Sequence, residues 1–426
     1  MSAQLLREDD HQVVIQITIS KSGNFLQCEE QIQSALNDAG RLATGSCLHD
    51  FDSDGSAIIM AGEKLTAKRA KVSKKYESPY GPVAVERYAY QTSQGGPVHI
   101  PLEVNARIVA GSTPRFAKIV SFNYSHNNSK VVQSALLQTL NRSVSRCFIQ
   151  DVSAAVASHV EDKSRHWTYA QSEPPAHEVA FIAIGIDGTC MLFCEEGYRQ
   201  AMVGTIAFYD AAGDRMHTNY VAAAPEHGKA TFLRRMDEEI ARTKGIYAHA
   251  RYVGISDGAT DYLPWLKMHT TTQVLDFWHV SEYIHAAAAA IHSDETERKA
   301  WIEATCHTLK HEHGASGHIL AGLKEAQPKR LPAKVRENLD AAISYLGNNI
   351  GRMNYASYRK GHLPIGSGIT EAACKSVVKG RMCGPGMKWR QNGSDCVLTL
   401  RALSLSDGRW EQFWANVAKF GLSKTA

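Results

Sequence analysis

The sequence predicts an α/β protein whose central sheet is formed within residues 179–292 of the 426-residue chain. Two kinds of pattern support this fold class, near-continuous apolar runs typical of buried strands and helical periodicity between them. The predicted strands are VAFIAIGID (179–187), AMVGTIAFY (201–209), residues 215–223, ARYVGIS (250–256) and TQVLDF (272–277). Helical patterns follow the last three strands, at 228–243, around LPWL (263–266) and at 279–291.

The resulting order, β-β-β-α-β-α-β-α, is that of the ribonuclease-H-like fold. That fold places an acidic site at the ends of its first and fourth strands, with a third carboxylate on a later helix. Asp187 follows the first strand, Asp257 follows the fourth, and Glu371 opens a helix in PIGSGITEAACK. Carboxylates are the ligands that Mg²⁺ and Mn²⁺ prefer. We therefore expect Asp187, Asp257 and Glu371 to hold two such ions about 4 Å apart for phosphoryl transfer.

Each of these acids also has a purely structural explanation. Asp187 precedes a glycine, and Asp-Gly between apolar runs is a strong hairpin signal. Asp257 could cap the following helix, and Glu371 in a first helical turn suits the helix dipole. Their order along the chain, at three positions that one fold uses together, favours the catalytic interpretation.

Asp276 and His279, in LDFWHVSEY, lie at the end of the last predicted strand and near the proposed site. A lone histidine is usually a packed or capping residue. The Asp-x-x-His spacing also allows His279 to orient a carboxylate or to contact the scissile phosphate. His279 is therefore a further candidate catalytic residue.

The chain before the sheet divides into three parts. Residues 1–62 predict a small α/β unit, with a strand at 13–19 and a helix at 26–43. Residues 63–112 begin with six Lys or Arg and no acid between Lys64 and Lys75, and continue into a β-hairpin or small meander. The basic run is either a solvated linker or an arm that contacts phosphates.

Residues 113–178 switch to helical periodicity. One helix starts with Pro114 at its first position, a second covers about 129–139, and a third follows NRSVS (141–145). Two helices joined by a short polar turn fit a helix-turn-helix, with Arg142 and Arg146 as DNA contacts. Any helical bundle gives a similar pattern.

The chain after the sheet predicts an all-α insertion at 293–362, followed at 363–426 by the helix of Glu371 and a C-terminal tail. Residues 351–403 carry nine Lys or Arg against two acids. Lys375 and Lys379 follow Glu371 at i+4 and i+8, so they share its helical face. A basic surface around an acidic site is typical of enzymes that act on nucleic acid. The expected DNA contacts here are Lys375, Lys379, Arg381, Lys388 and Arg390.

Composition excludes several classes of protein. A hydrophobic content of 44% and a charged content of 21% argue against global disorder. No apolar stretch reaches 18 residues, so no transmembrane helix is expected, and the acidic start is no signal peptide. Nine scattered cysteines without a CxxC pair predict reduced thiols rather than disulfides or a zinc site. A cytoplasmic protein with no membrane partner is expected.

From about residue 60 to its end the chain resembles the Kra-type family of bacterial insertion-sequence transposases. The motifs that carry the resemblance are IDGT (186–189), SDGA (256–259), LDFWHVSEYI (275–284), PIGSGITEAACKSVVKGRM (364–382), GMKW (386–389) and WEQFW (410–414). The resemblance implies a DDE transposase whose triad is Asp187, Asp257 and Glu371, with Mg²⁺ or Mn²⁺. It also implies that the helical block before Glu371 is a family trait. Where many relatives carry a cysteine-pair knuckle this chain has QTSQGG (91–96), so a zinc-stabilised DNA-binding module is not expected.

The expected function is recognition of the terminal inverted repeats of a mobile element, cleavage, and joining of the ends to target DNA. Transposases usually act as dimers or larger assemblies on paired ends, so a homodimer or higher oligomer is expected. Two alternatives stay open from the sequence. One is a ribonuclease-H-like nuclease that cuts without joining, and the other is a domesticated protein that binds DNA but is catalytically silent.

Overall fold

The computed structural model describes residues 2–164, 166–167, 169, 174–226, 228–259, 261–327 and 330–422. It divides into two compact units. The first unit contains Met1–Tyr169, Asn392–Ser404 and Arg409–Ala426, and the second contains Ala170–Gln391 and Leu405–Gly408. Positions 1, 165, 168, 170–173, 227, 260, 328–329 and 423–426 of the predicted regions lie outside the described residues. The protein is mixed α/β, as predicted.

The first unit begins with an antiparallel hairpin of β1 (Ala3–Asp9) and β2 (Gln12–Ile17), followed by the long helix α1 (Phe25–His49). Asn24 precedes α1 and forms a capping box with Gln27. The Asn24 side chain accepts from the backbone amide of Gln27, and the Gln27 side chain accepts from the backbone amide of Asn24. The predicted strand and helix of this region are confirmed. Strand β1 was not predicted, because six of its seven residues are exposed and show no apolar alternation.

The basic run is part of two strands and is not a linker. Three antiparallel hairpins follow α1, formed by β3 (Ile58–Met60), β4 (Glu63–Ala67), β5 (Val72–Ser78), β6 (Gly81–Arg87), β7 (Tyr90–Thr92) and β8 (Gly95–His99). The predicted hairpin region is confirmed. The cations of the run stay exposed on β4, on β5 and between them. The run is thus solvated, as one of the two interpretations predicted, but three of its six cations lie in strands and not in a linker.

The helices of the first unit are α2 (Pro101–Asn105), α3 (Pro114–His126), α4 (Ser129–Leu140) and α5 (Arg146–Lys163). The three helices predicted for residues 114–161 are thus confirmed, with Pro114 in the first turn of α3. The C-terminal tail packs here through aromatic contacts, since the ring of Trp410 lies 5.5 Å from that of Phe122.

The second unit is built on a five-stranded sheet of β9 (Phe181–Phe193), β10 (Gly197–Tyr209), β11 (Arg215–Ala223), β12 (Arg251–Ser256) and β13 (Thr272–Leu275). The strand order is β11-β10-β9-β12-β13. The pairs β9–β10 and β10–β11 are antiparallel, and β12 runs parallel to both β9 and β13. All five strands match predicted strands, although β9 is longer than expected.

Helices cover both faces of this sheet. On one face α6 (Ala230–Ile246) and α7 (Leu263–His269) pack against a core that includes Phe208 and Tyr252. On the other face α8 (Phe277–Ile291) packs with the predicted insertion. The insertion consists of α9 (Glu295–His311), α10 (Ala315–Ala326), α11 (Ala333–Asn349), a short 3₁₀ turn (Ile350–Arg352) and α12 (Tyr355–Lys360). Its described residues contain no strand, so the all-α prediction is confirmed for them.

After the insertion come α13 (Gly368–Ala373), a π-helical segment (Cys374–Lys379), α14 (Gly380–Met382), α15 (Gln391–Leu405) and α16 (Arg409–Phe420). Glu371 therefore lies in a helix, as predicted. Among the described residues, no helix has both the length and the apolar character needed to cross a membrane.

Candidate active site

Asp187 lies in β9, and Asp257 follows the neighbouring parallel strand β12. The β9–β12 ladder pairs residues that differ by 70 in number, from Phe181 with Arg251 to Gly185 with Ile255. The last pair of the ladder is Gly185 with Ile255, and Asp257 follows the end of β12 by one residue. Asp187 and Asp257 differ by the same 70 in number. Because adjacent strands lie about 4.8 Å apart, this spacing supports a position of Asp257 near the stretch of β9 that carries Asp187.

Asp187 lies within β9 and not at its end, which corrects the sequence prediction. The strand continues to Phe193 because β10 pairs with it along its whole length, and Asp187 faces Val203. The hairpin turn falls at 194–196, so the turn interpretation of Asp187-Gly188 is also wrong. Asp187 is half-buried, and its Oδ1 accepts from the Gly188 amide at 2.6 Å.

The helix of Glu371 is held against the same stretch of β9. Gly185 allows this close approach, because a Cβ at that position would overlap Thr370 Oγ1. The hydroxyls of Thr370 and Thr205 are hydrogen-bonded at 2.7 Å. One turn further on, the Cys374 thiol donates to Asp187 Oδ2 at 3.4 Å. These contacts bring the helix of Glu371 to Asp187.

Asp257 lies in an exposed turn that the insertion supports. Its Oδ1 accepts from the Ala259 amide at 3.0 Å, and Tyr345 Oη donates to its backbone carbonyl at 2.6 Å. The buried guanidinium of Arg352 donates to Ser256 Oγ at 3.0 Å. Asp257 does not cap α7, since the residue before that helix is Tyr262, so the capping alternative is wrong.

Asp276 is a fully buried carboxylate that joins α8 to the segment before α13. It caps α8, with Oδ1 accepting from the Trp278 amide at 2.6 Å, while Oδ2 accepts from the amide of Ser367 at 2.7 Å and from its hydroxyl. Burial alone would raise the pKa of Asp276. The nearby imidazole of His279 and the hydrogen bonds from Ser367 and Trp278 outweigh burial and lower the pKa to about 2.

His279 carries a positive charge next to this carboxylate. Its Nδ1 lies 3.6 Å from Asp276 Oδ2, and Asp276 raises the pKa of His279 to about 9 against the opposing effect of burial. The nearby charge of Asp257 contributes to the increase. The structure thus places His279 close to the predicted site, next to Asp276 and within electrostatic reach of Asp257.

Glu371 shares one hydrogen-bond donor with Asp276. Ser367 Oγ contacts Asp276 Oδ2 and also lies 2.9 Å from Glu371 Oε1. A hydroxyl has a single proton, so it satisfies one carboxylate at a time. The Ser367 hydroxyl therefore links the two carboxylates.

The carboxylates present fit a divalent metal chemically, but they do not form one closed cluster. Within the described ranges, the three ligand groups found within 4.8 Å of one another belong to Asp276, His279 and Glu371. His279 would ligate a metal in this trio only after releasing its proton, because a ligating imidazole is neutral. Asp187, Asp257 and Glu371 supply oxygen donors of the kind that Mg²⁺ and Mn²⁺ prefer.

The predicted DNA contacts separate into exposed and buried residues. Lys375, Lys379, Lys388 and Arg390 are exposed, and so is Arg146, whose Nε donates to Ser129 Oγ at 3.1 Å.

Two of the predicted contacts are buried instead, which corrects the sequence prediction. Arg142 is 6% exposed, pairs with Glu77 and donates to the Ser78 carbonyl at 3.0 Å. Arg381 is 4% exposed, and its guanidinium lies 5.3 Å from the ring centre of Trp389. A DNA phosphate cannot reach either guanidinium as they stand.

Sequence reasoning did not identify Ser367, Cys374, Tyr345 or Arg352 as parts of the site. PIGSGIT contains Ser367, but its contact with Asp276 spans 91 residues of sequence. No local pattern marks the other three, because their partners lie between 88 and 187 residues away in the chain. In the comparisons with known proteins, no protein-family model matches the chain, and no curated protein matches it.

Proposed function

We propose that this protein is a DDE transposase with a ribonuclease-H-like catalytic unit. The sheet order β11-β10-β9-β12-β13, with three antiparallel strands followed by two parallel ones, supports the fold proposal. The single observation that carries the function is the contact of the Glu371 helix with Asp187 through Cys374. The 70-residue offset that Asp187 and Asp257 share with the β9–β12 pairs supports it.

In this proposal Asp187, Asp257 and Glu371 hold two Mg²⁺ or Mn²⁺ ions. Such ions, when bound, activate the attacking oxygen and stabilise the leaving oxygen of a phosphodiester. Asp276 and Ser367 position Glu371 and His279. His279, protonated at neutral pH, places a positive charge where a phosphate would approach the acidic cluster.

The reaction has two steps. Water first cleaves the phosphodiester at the element end and leaves a 3′-hydroxyl, and that hydroxyl then attacks a phosphodiester of the target DNA. The DNA partners are the terminal inverted repeats and the target, and the active form is a homodimer or larger assembly. The exposed Lys375, Lys379, Lys388 and Arg390, all in the second unit, support a DNA-contacting surface there.

A strand-transfer assay tests the proposal. Purified protein is incubated with the DNA that flanks its gene, with and without Mg²⁺ or Mn²⁺, and compared with Asp257→Asn. Asp261→Asn is the matched control, because Asp261 is an exposed aspartate four residues away. Joined products should require the metal. Asp257→Asn should lower the rate by about three orders of magnitude, since metal stabilisation is worth several kcal/mol.

Each outcome has a definite meaning. Full activity of Asp257→Asn would exclude the acid site. Metal-dependent cleavage without joined products would identify a nuclease instead of a transposase. Binding without either reaction would identify a DNA-binding protein that has lost catalysis.

A further inference from the structure

Trp278 is a largely exposed tryptophan beside the candidate active site. Its side chain is 60% exposed, although it lies in the first turn of α8 between the buried Phe277 and His279. An indole is a large apolar group that is normally covered, and exposed aromatic faces often mark binding sites. The position of Trp278, one residue from His279 and two from Asp276, connects this surface to the proposed chemistry.

The indole is held in place on two sides. The Gly366 backbone lies along its pyrrole edge, because a Cβ at Gly366 would be 3.1 Å from Trp278 Cδ1. The ammonium of Lys310 lies 5.0 Å from the ring centre of Trp278 and 4.3 Å from that of Phe277. Lys310 thus lies over one face of the indole, while Trp278 as a whole stays 60% exposed.

Lys310, which lies over Trp278, and Arg359, which contacts the residue after Lys310, have no acidic partner among the described residues. In the part of the chain that the structure describes, no carboxylate pairs with Lys310 or Arg359. Arg359 Nη1 instead contacts His311 Nε2 at 2.7 Å, next to Lys310 in α9. An exposed aromatic ring beside unpaired cations is the combination that binds an unpaired base and its phosphate.

We propose that Trp278 and Lys310 form a nucleotide subsite that stacks one unpaired base next to the scissile phosphodiester, with Lys310 facing the phosphate. The proposal rests on the proposed function and deepens it, because it assigns the state of the DNA at the cleavage point. A fully paired end would leave the ring without a partner. A base displaced from the duplex would cover it and fix the position of the adjacent phosphate near Glu371.

Equilibrium binding without metal tests the subsite apart from catalysis. Labelled element-end DNA is prepared fully paired and with three unpaired nucleotides at the junction, and affinities are measured in EDTA. Trp278→Ala should weaken binding to the unpaired DNA by about 5- to 150-fold, the range for loss of one base–aromatic stack. Trp278→Phe should fall between Trp278→Ala and the wild type. Tyr198→Ala is the control, since Tyr198 is 74% exposed in the same unit.

Abasic substitution identifies the stacked base. A single abasic nucleotide is placed at each unpaired position in turn. When it replaces the stacked base, the wild type and Trp278→Ala should bind the DNA equally well. At the other positions their affinities should still differ. Equal affinity of the two proteins for every DNA would overturn the subsite. An equal loss of affinity in Trp278→Ala at all positions would also overturn it, and would indicate a contact between protein copies. If the wild type joins DNA while Trp278 proves neutral, the subsite alone fails. If the wild type binds no DNA, the proposed function fails with it.

Discussion

The thiol of Cys374 donates a hydrogen bond to Asp187 Oδ2 over 3.4 Å, between residues 187 positions apart in the sequence. This contact joins the helix of Glu371 to β9. Burial raises the pKa of Cys374, and the charge of Asp187 adds to the increase, so the group stays a neutral donor at physiological pH. Cys374 therefore positions Asp187 relative to Glu371.

Two substitutions of Cys374 test whether its hydrogen-bond donor matters or only its size. Cys374→Ser keeps an O–H donor and should retain most of the strand-transfer rate. Cys374→Ala removes the donor, and we expect a loss of about 1 kcal/mol, or about fivefold, because that is the net worth of a typical hydrogen bond. Titration of Mg²⁺ against the rate measures the effect, and equal behaviour of the two variants would show that the contact is incidental.

The close approach of β9 and α13 at Gly185 is a second test. Gly185→Ala would place a methyl group on Thr370 Oγ1, so the helix of Glu371 must shift. We expect a loss of about 1–3 kcal/mol in the free energy of unfolding and of most of the activity, measured by urea denaturation and strand transfer. Gly245→Ala in α6 is the control, because no atom lies within 4 Å of its Cβ. It should leave stability unchanged or higher by up to about 1 kcal/mol.

His279 should titrate near pH 9 in the metal-free protein, as followed by its NMR resonances. In Asp276→Asn its pKa should fall toward 6.5, since Asp276 is the largest cause of the increase. A raised histidine pKa stabilises the fold below pH 6.5, and that stability is lost as pH rises through 9. The lowered Asp276 pKa stabilises the fold above pH 3.8, and this contribution to stability is lost as pH falls through 2.

The pair should therefore contribute most fully to stability between about pH 4 and 6.5. Urea midpoints measured from pH 4 to 10, for the wild type and for Asp276→Asn, check the sign, because the difference between the two proteins should decrease as pH rises through 9. A flat difference between the two proteins from pH 4 to 10 would contradict the charged pair.

Arg142 should matter for stability and not for DNA contact. Breaking its buried pair with Glu77 leaves an uncompensated charge, and we expect Arg142→Ala to lower the free energy of unfolding by about 3 kcal/mol. Under conditions where the variant is folded, the salt dependence of DNA binding should equal that of the wild type. A smaller salt dependence would restore Arg142 as a phosphate contact.

Lys379, in contrast to Arg142, should matter for DNA contact and not for stability. It is exposed at the end of the π-helical segment, so Lys379→Gln should leave the free energy of unfolding within about 0.5 kcal/mol of the wild type. If Lys379 contacts a phosphate, the slope of log affinity against log salt should decrease by about one. An unchanged slope would remove Lys379 from the DNA-contacting surface.

The sequence was informative where local pattern decides structure. The five strands of the second unit and the helices beginning at Pro114, Ser129 and Arg146 follow from periodicity and capping signals. The end of β9 could not be predicted in this way, because its last residues are held by pairing with β10. The hairpin signal at Asp187-Gly188 is overridden by that pairing.

The site was predictable in its acids and not in their supports. Asp187, Asp257 and Glu371 stand next to recognisable strands and a helix start. The burial of Arg142 depends on Glu77, 65 residues earlier, and the support of Asp257 depends on Tyr345, 88 residues later. Such partners become visible only when tertiary packing has placed them together.

The helical insertion has one more consequence. Its residues Leu346, Met353 and Tyr355 are fully enclosed in the same core as Val253 and Val274 of the sheet. The insertion is thus a large part of the hydrophobic interior beneath β12 and β13, not an appendage to them. A shortened chain that joined residue 292 to residue 363 would expose that interior to water. The smallest stable fragment of the second unit must therefore keep the insertion.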